Sequence, residues 1–145
     1  MSKSRIEPHG GQICDRMVTE ERISELKQDF VHLQSWTLSD RQICDLEMIM
    51  NGGFSPLIGF LDQEDYDAVC IGMRLQNNDL WPIPITLDVT EDYAEKLTVG
   101  NKMVLRDKEG FALAVLTIGD IWKPDPKKEV EQVYGTMDES HPGVN

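Results

Sequence analysis

The stretch Ser39 to Pro56, "SDRQICDLEMIMNGGFSP", specifies both ends of one helix, and this constrains the chain more than any other segment. Ser39 and Gln42 have the spacing of a capping box, in which a serine oxygen takes one orphan amide and a glutamine reaches back to another. Ile43, Leu46, Ile49 and Met50 then recur at helical spacing, with Asp45 and Glu47 off that stripe. Gly52 and Gly53 pose a choice between a phosphate cradle and a helix stop. A cradle lies between a strand and a helix N-terminus, with amides aimed at the anion. Here the glycines follow a helix, whose carbonyl end repels anions, and no Gly-Lys-Ser/Thr completes the loop. A stop fits better: Gly53, or failing it Gly52, takes the left-handed position, with Phe54 packing back on Ile49. Pro56 prevents the helix from resuming.

Other segments carry similar punctuation. Glu21 to Phe30 reads as an amphipathic helix with Ile23, Leu26 and Phe30 on one side and Thr19 as its cap. Leu33 to Ser39 looks extended. Asp62-Gln63-Glu64-Asp65 opens a third helix with carboxylates where the dipole favours them, and Tyr66, Val69, Ile71 and Met73 form a rough apolar side. Asn77-Asn78-Asp79 reads as a turn. "WPIPITLDV" predicts a strand with Ile83, Ile85, Leu87 and Val89 on one face, its Pro82 and Pro84 marking a sheet edge. A short helix is expected over Glu91–Leu97, capped by Thr90. Asp107 to Gly110 is a hairpin turn, and Phe111 to Ile118 predicts a strand covered on both faces. Asp125 and Pro126 start a last helix that Gly135 ends, and the tail through His141 is polar and turn-rich. The expected class is α+β, with short strands closed into a partial barrel by surrounding helices.

At 145 residues the length suits one domain with its own core. No apolar run approaches the roughly 20 residues of a membrane helix, and no apolar stretch follows the basic residues of Met1–Glu7 as a secretory signal requires. Cys14, Cys44 and Cys70 are an odd, widely spaced set without a C-x-x-C pair, as expected of thiols in a reducing cytoplasm. Acidic residues outnumber basic ones 26 to 14, giving a net charge of −12, and no basic cluster exceeds Lys127-Lys128. A nucleic-acid partner, which needs a basic face, is disfavoured.

No catalytic constellation stands out among the remaining candidates. His9 in "EPHGG" reads as a structural loop histidine, His32 lacks an obvious acidic partner, and His141 lies in a turn. Asp62, Glu64, Asp65 and Asp67 lack the loop spacing of a calcium site and read as a solvated helix face. Ser39 and Ser55 have no G-x-S-x-G setting, and no cysteine forms a recognisable nucleophile pattern with a histidine.

The order of the segments is more telling than any one of them. "PHGG", "LSDRQICDLEMIMNGGFSPLIGFLDQEDYDAV", "LWPIPITLDV", "LRDKEGFALAVLTI" and "YGTMDESHPGV" together resemble the N-terminal domain of ATP sulfurylase (sulfate adenylyltransferase). The resemblance runs from Pro8 to the last residue. It implies a PUA-like mixed or antiparallel pseudo-β-barrel over residues 1–145, with a nucleotidyl-transfer domain following Asn145. The family enzyme joins sulfate to the AMP part of ATP, giving adenylyl sulfate and pyrophosphate with magnesium, and some members run it backwards. Its catalytic signatures, Gln-x-Arg-Asn with His-x-x-His and a later Gly-Arg-Asp-His-Ala-Gly, do not occur here. "LRDKEG" shares only an Arg-Asp. The resemblance therefore assigns no catalytic, substrate-binding or metal-binding residue to this chain and no cofactor, Mg-ATP belonging to the full enzyme. Its partners would be the catalytic domain of the same chain, ATP and sulfate, and further copies of the full enzyme, with no nucleic acid and no membrane. The alternative is a free-standing PUA-like RNA-binding or regulatory module.

Overall fold

The computed structural model describes residues 5–135, which pack as two compact units. One comprises residues 5–60 with Val89–Ile118, the other Leu61–Asp88 with residues 119–135. The tail around His141 lies outside the described residues.

The first unit holds a three-stranded mixed sheet in the order β1-β2-β3. Strand β1 (Gln34–Thr37) runs parallel to β2 (Lys102–Arg106), and β2 pairs antiparallel with β3 (Ala112–Thr117). As the middle strand, β2 takes the deepest burial: Met103 is 1% exposed, and Val104 and Leu105 are 0%. The sheet is open among the described residues. The hairpin turn forms as the sequence predicts, with Gly110 at φ 91° and the Phe111 amide donating to Asp107 Oδ1 at 2.7 Å. The expectation that Phe111 to Ile118 is covered on both faces is corrected: β3 is an edge strand, half-buried from Ala112 to Leu116, and Phe111 is 70% exposed. Apolar content alone cannot tell an edge strand from a central one.

Helix α1 (Glu20–Asp29) is capped by Thr19, whose hydroxyl accepts from the Arg22 amide. It buries no residue, so Ile23 stays exposed. Helix α2 (Asp40–Met50) has the full capping box: Gln42 N–H donates to Ser39 Oγ, and the Ser39 amide donates to Gln42 Oε1 at 3.0 Å. Its buried stripe is Gln42, Leu46 and Ile49, with Ile43 and Met50 half-buried. The stop falls one residue earlier than Gly53. Asn51 is the C-cap, Gly52 takes φ 80°, and Gly53 N–H donates to Asn51 Oδ1 at 2.8 Å. The Phe54 amide then closes on Met48 O at 2.9 Å. Asparagine's short amide can serve the glycine beyond it, and this shifts the left-handed position to Gly52. The expected helix over Glu91–Leu97 shortens to α3 (Glu91–Ala94), and Thr90 makes no side-chain cap bond. Tyr93 still holds it to β1, donating from its hydroxyl to Ser35 O at 2.7 Å and packing in a tilted pair with Trp36, ring centroids 4.7 Å apart.

The second unit is built on α4 (Gln63–Gly72) and α5 (Pro126–Tyr134). Asp62 caps α4 by accepting the Asp65 amide at 2.8 Å, and Asp125 caps α5 by accepting the Lys127 amide at 3.1 Å. Gly135 ends α5 at φ 67°. The buried side of α4 is Tyr66, Val69 and Cys70; Ile71 and Met73, expected on that side, are exposed. Asn78 turns at φ 74° as its position predicts. "WPIPITLDV" forms no strand. Two prolines remove donors from one side, and the segment is tied by isolated bonds such as Trp81 N–H to Met73 O and Leu61 N–H to Ile85 O. Its alternation is correspondingly imperfect, with Ile85 buried and Ile83 exposed.

The N-terminal segment lies on the end of α2. Arg16 N–H donates to Met50 O at 2.8 Å, and Cys14 N–H donates to Ser55 Oγ at 2.8 Å. Ser55 Oγ donates in turn to Gly52 O at 2.6 Å. A Cβ at Gly52 would stand 2.5 Å from Ile13 Cγ2. We therefore expect Gly52→Ala to cost roughly 1–2 kcal/mol from the left-handed backbone alone, with the overlap at Ile13 adding to it. A Cβ at Gly53 would meet Met48 Cε at 2.5 Å and Asn51 Oδ1 at 2.9 Å, both side-chain atoms, and Gly53 is not left-handed, so Gly53→Ala should cost less. Urea unfolding of both variants checks the order; equal losses would overturn it.

Candidate functional site

The structure scatters most of the sequence candidates. His9 and His32 are exposed, and the turn holding His9 closes through Gly11 N–H to Pro8 O. Ser39 is occupied as the α2 cap. Cys14 and Ser55 do come together, with Cys14 Sγ also donating to Pro56 O at 3.5 Å, but they serve as backbone clasps. None of the cysteines is in a disulfide. The acidic group divides: Asp62 caps α4, Asp65 Oδ1 accepts the Gln76 amide at 2.8 Å, Glu64 is exposed, and Asp67 is half-buried. Among the described residues no three His, Cys, Asp or Glu side chains are placed to hold a metal ion.

Asp67 belongs to a cleft that the sequence did not suggest. In the second unit, Gln63, Tyr66 and Asp67 on the first turns of α4 face Trp122, Lys123, Pro124 and Asp125, which lead into α5. The spacing i, i+3, i+4 puts the α4 residues on one helix face. The cleft has a volume of about 270 Å³. Its floor is an aromatic pair, Tyr66 and Trp122, with ring centroids 4.4 Å apart. The Tyr66 hydroxyl donates to Glu129 Oε2 at 2.7 Å, joining α4 to α5, and Gln63 N–H donates to Asp120 Oδ2 at 3.0 Å. Burial, then the adjacent Glu129 carboxylate, raise the Tyr66 pKa far above the ordinary phenol value. Tyr66 is therefore a neutral hydrogen-bond donor and not a base. The signal for this site, "WKPDP", was present, but its partners on α4 lie far away in sequence.

Fold and family agree. The chain belongs to the PUA-like domain family, whose model matches residues 6–145. Its relatives are narrower in kind. The sulfate adenylyltransferase of Aspergillus fumigatus is 46% identical over 141 residues, covering 94% of this chain and 24% of the relative. Those of Eremothecium gossypii and Candida albicans are 41% and 47% identical, covering 96% and 93% of this chain and 28% and 27% of theirs. A solved structure described as a hexameric APS kinase from Thiobacillus denitrificans is 37% identical with a TM-score of 0.74, over 83% of this chain and 24% of that one. The chain thus spans about a quarter of the length of the relatives it matches.

The Tyr66 environment sets a pH dependence. The folded state keeps the phenol proton where the unfolded chain has lost it, so the Tyr66 contribution is intact below the ordinary tyrosine value of 10.0 and is lost as pH rises above it. Unfolding titrations on either side of that value should show a steeper alkaline loss for the parent than for Tyr66→Phe. Parallel losses would contradict the assignment.

Proposed function

We propose that residues 1–145 form the non-catalytic N-terminal domain of an ATP sulfurylase, with the catalytic domain of the same chain following Asn145. The observation that carries this reading is 41–47% identity across nearly all of this chain to sulfate adenylyltransferases about four times its length. The full enzyme would transfer the adenylyl group of Mg-ATP to sulfate, or run the reaction backwards, and would work in the cytoplasm. No helix among the described residues is long and apolar enough to cross a membrane. The family match across both compact units supports one PUA-like domain, and we extend it to the pseudo-barrel, of which the described strands form an open part. Assembly of the full enzyme into oligomers is consistent with the hexamer named for the Thiobacillus denitrificans protein.

The physics supports a framing role. Adenylyl transfer needs fixed positive charge and donors around the phosphates. This chain carries a net charge of −12, and among the described residues its cleft is lined by Asp67 and Asp125 as well as Lys123. Exposed apolar side chains of the second unit, Ile71, Met73, Leu80 and Ile83, are consistent with docking of a partner domain. We propose no catalytic, substrate-binding or metal-binding residue within residues 1–145.

Sulfate-dependent exchange of labelled pyrophosphate into ATP should be absent for this chain alone and present for a chain extended through the catalytic domain. Exchange by the 145-residue chain above a buffer blank would falsify the framing role. Titration with a structured RNA at low salt should give only weak, salt-sensitive association. Tight binding that survives physiological salt would favour an RNA-binding module.

A further inference from the structure

The sequence places an asparagine directly before a glycine only at Asn51 and Gly52. An asparagine carboxamide is open to attack by the backbone nitrogen of the next residue, and glycine, without a Cβ, crowds that attack least. Asn77, Asn78 and Asn101 are followed by Asn78, Asp79 and Lys102, whose side chains stand in the way. Asn51 is exposed as the C-cap of α2, so water reaches its carboxamide.

The fold nevertheless holds this pair in an unreactive arrangement. Ring closure needs the Gly52 nitrogen to eclipse the Asn51 Cβ, whereas the Asn51 ψ of 1° makes it eclipse the Asn51 nitrogen. The carboxamide is tied as well, its Oδ1 accepting from Gly53 N–H at 2.8 Å, and the Gly52 N–H is turned toward Ile49 O at 3.4 Å. Ser55 braces the stop by donating to Gly52 O at 2.6 Å while accepting the Cys14 amide. We propose that Asn51-Gly52 is a deamidation site gated by the α2 stop, protected while the cap is closed and converted when it opens locally. On opening, the Gly52 amide nitrogen gives up its proton and attacks Asn51 Cγ. The new N–Cγ bond closes a cyclic imide, and the side-chain nitrogen leaves as ammonia with that proton. Water then opens the imide, and no oxidant or reductant is needed. Breaking the imide bond at Cγ gives aspartate. Breaking it at the main-chain carbonyl of Asn51 gives isoaspartate, whose backbone runs through Cβ. That extra carbon displaces Gly52 from its φ of 80° and from its close fit beneath Ile13. Isoaspartate thus makes the opening permanent. The site rests on the α2 stop alone and is independent of the sulfurylase reading.

The whole chain is incubated folded and in urea, and conversion is followed by peptide mass, with isoaspartate resolved by chromatography. In urea Asn51 should convert ahead of Asn77, Asn78 and Asn101, and in the folded chain it should convert many-fold more slowly. Ser55→Ala removes the brace and leaves the Asn-Gly pair intact. Folded, that variant should convert several-fold faster than the parent, and in urea at the same rate. Hydrogen exchange at the Gly53 amide of the parent, in urea below the unfolding transition, keeps the test decisive if the variant does not fold: conversion should rise in step with exchange. The purified isoaspartyl form should unfold at lower urea than the parent. Equal rates folded and in urea, another asparagine converting first, a folded Ser55→Ala rate equal to the parent's, or conversion that does not follow Gly53 exchange would overturn the gate. An isoaspartyl form as stable as the parent would overturn the permanence of the opening.

Discussion

Strand β2 carries neighbours on both edges and cover on both faces, and the first unit is arranged around that demand. The centre of a strand paired on both edges and buried on both faces needs apolar residues, which Met103, Val104 and Leu105 supply. Polar character returns at Arg106, where the pairing with β3 shifts register. The guanidinium there donates to Gly110 O at 2.9 Å, closing the hairpin, while its Cζ lies 6.0 Å from the Phe30 ring centroid. The Leu38 amide donates to Arg106 O at 2.8 Å just before α2 begins. The sheet thereby fixes the point from which α2 starts.

The far end of α2 is held by a different device. Gly52 has no side chain, so the backbone of residues 13–15 can approach the helix stop. Ser55 links the two by accepting from the Cys14 amide and donating to Gly52 O. The glycine pair that resembles a phosphate loop in composition is a seat for the protein's own chain. Arg16 reinforces it, with Nε donating to Ile58 O at 3.1 Å.

Helix boundaries were legible because capping is local chemistry. Thr19, Ser39, Asp62 and Asp125 each accept a nearby amide, and the hairpin turn needed only its own four residues. The stop was legible as a left-handed Gly53 or, failing it, Gly52, and the Asn51 side chain, which takes part in it, accompanies the choice of Gly52. Burial was harder to read. Whether β3 is central or at an edge, and whether the alternation from Ile83 to Val89 becomes a strand, depends on neighbours remote in sequence. The cleft was invisible for the same reason: Asp67 read as one carboxylate of a solvated face, and Trp122 drew no attention. Family resemblance reached further than single residues because it used the order of many segments.

The tie between Tyr66 and Glu129 also has a consequence during synthesis. The second unit is drawn from two separated stretches of chain, and the ribosome delivers Leu61–Asp88 well before the residues that pack against it. In the interval β2 and β3 emerge and can complete the first unit, since chains fold in domain order as they are made. Tyr66 meanwhile waits without its α5 partner Glu129. The unit that emerges in part first is thus the last to be finished, and its apolar helix face is the stretch of the nascent chain most in need of protection.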